Sequence, residues 1–261
     1  MGILNVTPDS FSDGGQYNTI DKAIRHSRDM ADGGADIIDI GGESTRPGAK
    51  TISANEEIDR VLPVIEAIVS EIQIPCSIDT RKSEVAEEAC RAGAVMINDV
   101  SGLRHDGRIA DVAAKYNAFL AVMHMLGTPE TMQIDIHYID LLRDITGFLN
   151  QAAEKAVQAG VAKEKIIIDP GIGFGKTVEH NFLILQKLDF FTNLGYPVLV
   201  GVSRKSFIGK SLDLPVEDRL QGSLAAAIYA ALKGAAIIRV HDVLPTIRAL
   251  KTIELIERAA Q

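Results

Sequence analysis

Eight short apolar runs in this 261-residue sequence each end on polar or charged residues, and those ends are its clearest chemical signal. In order they are Asn5, Asp39, Asp79, Asn98, His124, Asp169, Lys205, and Arg239 with His241. A charge at the end of an apolar strand is costly unless it is paired, hydrated or engaged with a ligand. Any one of them reads equally well as a helix cap or a buried hydrogen bond; eight in succession read as a site. Arg239 and His241 stand two apart at a strand end, point the same way and can share one anion. Arg204, beside Lys205, reads better as a solvated salt bridge. There is no nucleophile elbow, and no Ser/His/Asp set follows from spacing. The six histidines show neither His-x-His nor His-Glu-x-x-His spacing. His26, His105, His137 and His180 read as surface or capping residues, and His124 as either pocket lining or a satisfied core histidine. A hard cation held by oxygen atoms needs no compact motif.

Three loops carry unusual chemistry. Residues 7–15 and 41–48 mix glycines, hydroxyls and charge, with Phe11 and Arg46 as large groups, and read as lids that close over a substrate and exclude water. The third, Asp169-Pro170-Gly171-Ile172-Gly173-Phe174-Gly175-Lys176-Thr177, nearly matches a phosphate-binding loop. That pattern needs glycine where Pro170 stands, and the dinucleotide fingerprint needs glycine where Lys176 stands. A glycine-rich turn that brings backbone close to a flat ligand suits the segment better than a nucleotide cradle.

The elements that position these residues repeat. Strands are expected over 2–6, 36–40, 76–79, 95–98, 119–123, 166–169, 198–201 and 237–240, nearly all apolar, as strands covered on both faces should be. Helical periodicity fills 19–32, 55–68, 82–92, 107–116, 138–159, 178–194, 216–233 and 244–259. Eight strand–helix units of about 33 residues each use the whole chain. The count points to a single (β/α)8 TIM barrel over 1–261 with long loops after strands 1 and 2; the alternative is an open doubly wound sheet of eight strands. The polar ends then converge on one face, where such barrels build their sites. The chain opens directly on the first strand, with nothing ahead of it to cover the barrel's bottom.

Composition excludes several classes. With 35 acidic and 27 basic residues the formal charge is −8, which argues against a nucleic-acid surface. Hydrophobic residues make up 46%, too many for a disordered chain. The longest plain apolar run, 224–232, is too short to span a membrane. No basic-then-apolar leader is present, and two cysteines make neither a disulfide scaffold nor a zinc knuckle. A cytoplasmic protein is expected.

Taken together the motifs resemble the dihydropteroate synthase family, which is inhibited by sulfonamides. The resemblance rests on 2–15, 41–48, Ser77-Ile78-Asp79-Thr80, Ile97-Asn98-Asp99, 169–176, Ser203-Arg204-Lys205-Ser206 and Arg239-Val240-His241-Asp242. It implies a Mg²⁺-dependent barrel enzyme of folate biosynthesis, usually a homodimer. Such an enzyme joins 6-hydroxymethyl-7,8-dihydropterin diphosphate to 4-aminobenzoate, releasing diphosphate by a dissociative substitution. By the same resemblance Asp79, Asn98, Asp169 and Lys205 bind the pterin, with Met123, Phe174 and Gly201 around the ring. Asn5, Arg46, Arg239 and His241 hold the diphosphate, with Asn5 contacting the metal and Asp9 joining it on lid closure. Phe11, Thr45, Pro47 and Ser203 surround the aminobenzoate. Lys205, Arg239, His241, Arg46 and Asp79 form the catalytic set.

A methyltetrahydrofolate:corrinoid methyltransferase would use similar Asp and Asn positions, but should lack the 7–15 signature and the Ser-Arg-Lys loop, both present here. A pterin-binding regulatory domain would not need Asn5, Arg239 and His241 as a diphosphate anchor. Family members generally carry a short segment before the first strand, and the resemblance implies that this chain lacks it.

Overall fold

The structure is a computed structural model that describes residues 1–7, 16–44 and 51–259. Eight strands alternate with helices: β1 Gly2–Asn5, β2 Ile38–Gly41, β3 Cys76–Asp79, β4 Met96–Asp99, β5 Phe119–Met123, β6 Ile166–Asp169, β7 Leu199–Gly201 and β8 Ile237–Arg239. All pair in parallel and in chain order, as β1 to β6 and β7 with β8. Two seams join the ends. Ile168 bridges Val198, and Ile168 N–H donates to Pro197 O at 3.0 Å. Gly2 bridges Val240, while Ile3 N–H donates to Val240 O and Val240 N–H to Met1 O, both at 2.9 Å. The strands therefore run once around a closed circle, the (β/α)8 barrel expected.

Strand after strand, alternate residues divide between two layers. Leu4, Ile38, Ile40, Ile78, Ile97, Leu120, Val122, Ile166, Ile168 and Val200 face outward into the helix-packed core. Inward, Met96, Ala121, Ile167 and Leu199 form a bottom plug with Met1, whose ammonium donates to Ile238 O at 3.0 Å. Met1 thus packs into the barrel floor. Above that plug the inward positions turn polar, and the site begins.

The helices are α1 Gln16–Asp32, α2 Ala54–Ala67, α3 Ser83–Arg91, α4 Ile109–Lys115, α5 Leu141–Gln158, α6 Val178–Gln186, α7 Asp189–Thr192, α8 Ser206–Leu212, α9 Leu220–Leu232 and α10 Val243–Arg258. Local caps fix several starts: Ser53 accepts from Glu56 N–H, Asp140 from Arg143 N–H, and Thr177 forms a reciprocal box with His180. The stretch 178–194, expected as one helix, breaks at Lys187, because Leu188 and Phe191 turn back into full burial. The stretch 216–233 likewise divides into a 3-10 turn, Val216–Asp218, and α9. Between them Arg219 bonds the carbonyls of Leu214 and Arg204. The short α8 was not expected at all.

Candidate active site

At the carboxyl ends of the strands, Asn5 pairs in register with Gly41, Gly41 with Asp79, and Asp79 with Asn98; Met123 pairs with Asp169 and Gly201 with Arg239. These are the last inward positions of their strands, so one ring gathers residues from across the whole sequence. Gly41 leaves space within it: a methyl at its Cβ position would lie 3.7 Å from Asn5 Oδ1 and 3.8 Å from Asp79 Oδ2.

Arg239 is the ring's hub. Its Nε donates to Asp39 Oδ2 and its Nη2 to Asp79 Oδ2, each at 2.6 Å. Asn98 Nδ2 also donates to Asp39 Oδ2, at 3.0 Å. Asp39 is wholly buried, and its Oδ1 has no hydrogen-bond partner among the described residues. These contacts use one edge of the guanidinium. A guanidinium has five N–H donors, and these two bonds use two of them. Asp39 is the residue to which the resemblance gave no role. It lies one layer beneath the ring, inward like Gly41 two positions later.

Burial and neighbouring charge tune the ring. Burial pushes the Asp79 carboxyl up to about 7, against the pull of Arg239, with Asp39 adding to the rise. Burial also raises Asp169 to about 6, opposed by the Gly171 N–H bond and by Lys205. Lys205 is lowered to about 8 by burial and Arg239, while Asp169 and Asp79 pull it back. Lys205 reaches this group from the N-cap of α8, and its Nζ lies 4.0 Å from the centre of the Phe174 ring. Met123 is buried against Val100, Met125, Met132 and Phe174, giving an apolar wall beside the carboxylates.

His241 and Ser203 are tied to each other. Ser203 Oγ accepts from His241 N–H at 3.2 Å and lies 3.1 Å from His241 Nδ1. Burial, then Arg239 and Arg204, push His241 down to about 4, so its ring is neutral near pH 7. The positive charge of the ring therefore comes from Arg239 and Lys205, and His241, read from sequence as sharing an anion with Arg239, adds none. Arg204 makes a two-point ion pair with Asp242, at 3.0 and 2.6 Å, the structural role expected of it. Asp9, Phe11, Thr45, Arg46 and Pro47 lie outside the described residues.

The glycine-rich turn after β6 frames the other side. Gly171 N–H donates to Asp169 Oδ1 at 2.7 Å, fixing that carboxylate. Gly171 itself, at φ +72, has no room for a side chain: a Cβ would stand 1.9 Å from His124 O. His124 is buried and faces away from the ring, as its place one residue beyond inward Met123 requires.

Among the described residues, no group of three His, Cys, Asp or Glu converges as a metal cage. Among the described residues, Asn5 Oδ1 stands at the mouth, 3.7 Å from where a Cβ on Gly41 would lie. That donor set suits Mg²⁺, which keeps several waters and takes one or two protein oxygens plus substrate phosphates.

The arrangement can hold a flat, hydrogen-bonding ring between carboxylates and an apolar wall, with an anion over Arg239. Comparison with known proteins gives the class: the model of the pterin-binding enzyme family matches residues 1–241. The dihydropteroate synthase of Bacillus subtilis (strain 168) is 51% identical over 254 residues, covering 97% of this chain and 87% of that one. The Yersinia pestis dihydropteroate synthase, solved as a sulfonamide drug complex, superposes with a TM-score of 0.93 at 47% identity, covering 99% of this chain and 94% of its own. The Xanthomonas albilineans enzyme with 4-aminobenzoic acid also gives 0.93, at 44% identity, covering 98% and 92%. The chain belongs to the dihydropteroate synthase family, transferases of folate biosynthesis.

Proposed function

We propose that this barrel mouth condenses 6-hydroxymethyl-7,8-dihydropterin diphosphate with 4-aminobenzoate, and that residues 1–261 act as one pterin-binding domain. The observation that carries the residue assignment is the Asp39–Arg239–Asp79 bridge, with Asn98 on the same carboxylate. It supports the reading by joining two carboxylates and a guanidinium at the carboxyl ends of the strands. Asp169 accepts from the amidine-like edge of the pterin, while Asp79 and Asn98 satisfy the rest of the ring. Charge-assisted bonds of this kind contribute about 1.5–3 kcal/mol each. Met123, Phe174 and the backbone at Gly201 bound the ring, with Lys205 at its rim.

The diphosphate lies against Arg239 Nη1 and His241, with Arg46 added from the second loop. Asn5, joined by Asp9, holds Mg²⁺, which when bound supplies positive charge to the leaving diphosphate. The exocyclic C–O bond breaks first, and its electron pair leaves with the diphosphate. Arg239 stabilises the growing anionic charge; Asp79 and Asp169 stabilise the pterin cation. The aryl amine, neutral near pH 7 and seated against Ser203, Phe11, Thr45 and Pro47, then attacks and loses a proton to solvent. This order needs no protein nucleophile. The 4-aminobenzoic acid held by the Xanthomonas enzyme supports the choice of acceptor.

A second copy of the chain completes the reading. A groove of about 740 Å³ between α6, α8 and α9 is lined by Phe182, Leu183, Phe207, Leu212 and Tyr229, of which all but Phe207 are exposed. A homodimer would cover it, and sedimentation velocity tests this. No helix among the described residues is long and apolar enough to cross a membrane. Cys76 and Cys90 are buried free thiols, which suits a reducing cytoplasm.

An assay of diphosphate release tests the reaction. Release should require the pterin diphosphate, 4-aminobenzoate and Mg²⁺ together; pterin binding without turnover would overturn it.

A further inference from the structure

We infer that Lys176, held by His124, is a positioning residue for the pterin half of the site, setting where Phe174 stands in the pocket wall. This rests on the pterin pocket proposed above. Lys176 is the residue that the dinucleotide fingerprint could not absorb, and it is almost wholly buried. Its Nζ donates to Phe174 O at 2.9 Å and to His124 O at 3.3 Å, and lies 3.0 Å from His124 Nδ1. Burial draws the Lys176 amine down to about 7 while Asp169 pulls it back up, and in its charged form three protons meet these three acceptors. The bond to the ring assigns the tautomer. Burial, with Lys176 and Arg104 nearby, holds His124 far below its ordinary range, so the ring is neutral and its Nδ1 is the acceptor. His124 in turn is held edge-on by Phe148, with ring centres 5.1 Å apart.

This clamp joins two elements that flank the ring of carboxylates: the end of β5 at His124, and the turn that follows β6. The turn uses left-handed glycines at 171, 173 and 175, so its shape is not fixed by side-chain sterics. Its carbonyls are instead fixed one by one. Gly171 O accepts from Phe174 N–H, Gly173 O from Gln133 and Gly175 O from Tyr138. Phe174 O is left to Lys176. Without that bond, the carbonyl of the residue whose ring lies against Lys205 loses its buried donor. Phe174 then loses its fixed place beside Met123 and Lys205.

The test is steady-state kinetics of diphosphate release with each substrate varied in turn, on Lys176→Met, His124→Leu and His124→Asn. Asparagine can offer an oxygen near the place of Nδ1; leucine cannot. Lys176→Met should raise KM for the pterin diphosphate roughly tenfold or more while KM for 4-aminobenzoate stays within about twofold. His124→Leu should shift in the same sense, and His124→Asn should restore most of the loss. A folded Lys176→Met enzyme with an unchanged pterin KM would overturn the assignment, as would equal rises in both KM values. If Lys176→Met does not fold, the histidine pair decides: equal behaviour of Asn and Leu would refute the clamp. A wild-type enzyme that does not need both substrates would instead refute the underlying pocket, whatever the variants do.

Discussion

Replacing Arg239 by methionine removes the cation from between two buried carboxylates while keeping much of the side-chain volume. Asp39 would keep only the Asn98 bond on its Oδ2, and Asp79 Oδ2 would lose its 2.6 Å partner. Breaking a buried ion pair from one side costs about 3–5 kcal/mol, because the partner charge stays buried. In a chain of this size each kcal/mol moves the melting temperature by roughly 2–4 °C, so a fall of about 6–20 °C is expected. The pH dependence is the sharper readout. Asp79 already stands at about 7 with Arg239 as the main influence lowering it. Removing Arg239 raises Asp79 further, since burial and Asp39 continue to oppose its charge. A carboxyl with a raised folded pKa contributes stability that is present below its unfolded value and lost as pH rises through its folded one. The deficit of the variant should therefore widen above about pH 7, by at most about 1.4 kcal/mol per pH unit for one proton. Urea unfolding of both proteins near pH 6 and near pH 8.5 measures this directly. A deficit that is equal at both, or smaller than about 1 kcal/mol, would refute the bridge as the reason for the charge at Arg239. In parallel, calorimetry should show affinity for the pterin diphosphate falling far more than affinity for the pterin alcohol.

Asp169→Asn should weaken pterin binding by roughly tenfold or more, since a charge-assisted acceptor becomes an amide; unchanged affinity by calorimetry would remove Asp169 from the pocket. In the wild type, pterin affinity should fall as pH drops through about 6, where the raised Asp169 carboxyl takes up its proton, and a flat profile between pH 5 and 7.5 would count against it. Glu57→Ala should cost about 1.5–3 kcal/mol in urea unfolding, because Lys82 loses its buried 2.5 Å partner but keeps Glu43 at 3.4 Å; a loss below about 0.5 kcal/mol would contradict that pairing. Gly171→Ala should lose pterin binding in a protein that still folds, as a Cβ there meets His124 O at 1.9 Å and must displace the turn that fixes Asp169; retained calorimetric affinity would contradict this.

The sequence carried the ring because strand alternation survives even where strands are apolar on both faces. Asn5, Asp79, Asn98, Asp169 and Arg239 are the last inward residues of their strands, and a residue list alone could find them. The same alternation places His124 outward, one step beyond Met123, although a histidine at a strand end suits pocket and core alike. Lys205 follows no such alternation. It stands four residues beyond the end of β7 and enters through the N-cap of α8, a helix the sequence did not announce. Asp39 shows the deeper limit. It stood among the eight polar ends, yet nothing local distinguished a residue one layer down that bonds Arg239, two hundred positions away. That pairing exists only once the seam at Gly2 and Val240 closes the barrel.

The same seam explains how a protein with a formal charge of −8 can present a site for a diphosphate. Arg239 and Lys205 are its cations, His241 is neutral, and Asp39, Asp79 and Asp169 stand beside them, so net charge alone does not account for an anion site there. What the barrel provides is orientation. Asp39 from one layer beneath and Asp79 from within the ring bond the guanidinium at Nε and Nη2, which keeps it charged and fixes its plane. An anion arriving there meets donors already aimed, with no reorganisation left to do at the moment the C–O bond breaks. The raised carboxyl at Asp79 is the cost of that arrangement, and Asn98, sharing Asp39 with Arg239, keeps the lower carboxylate from turning away.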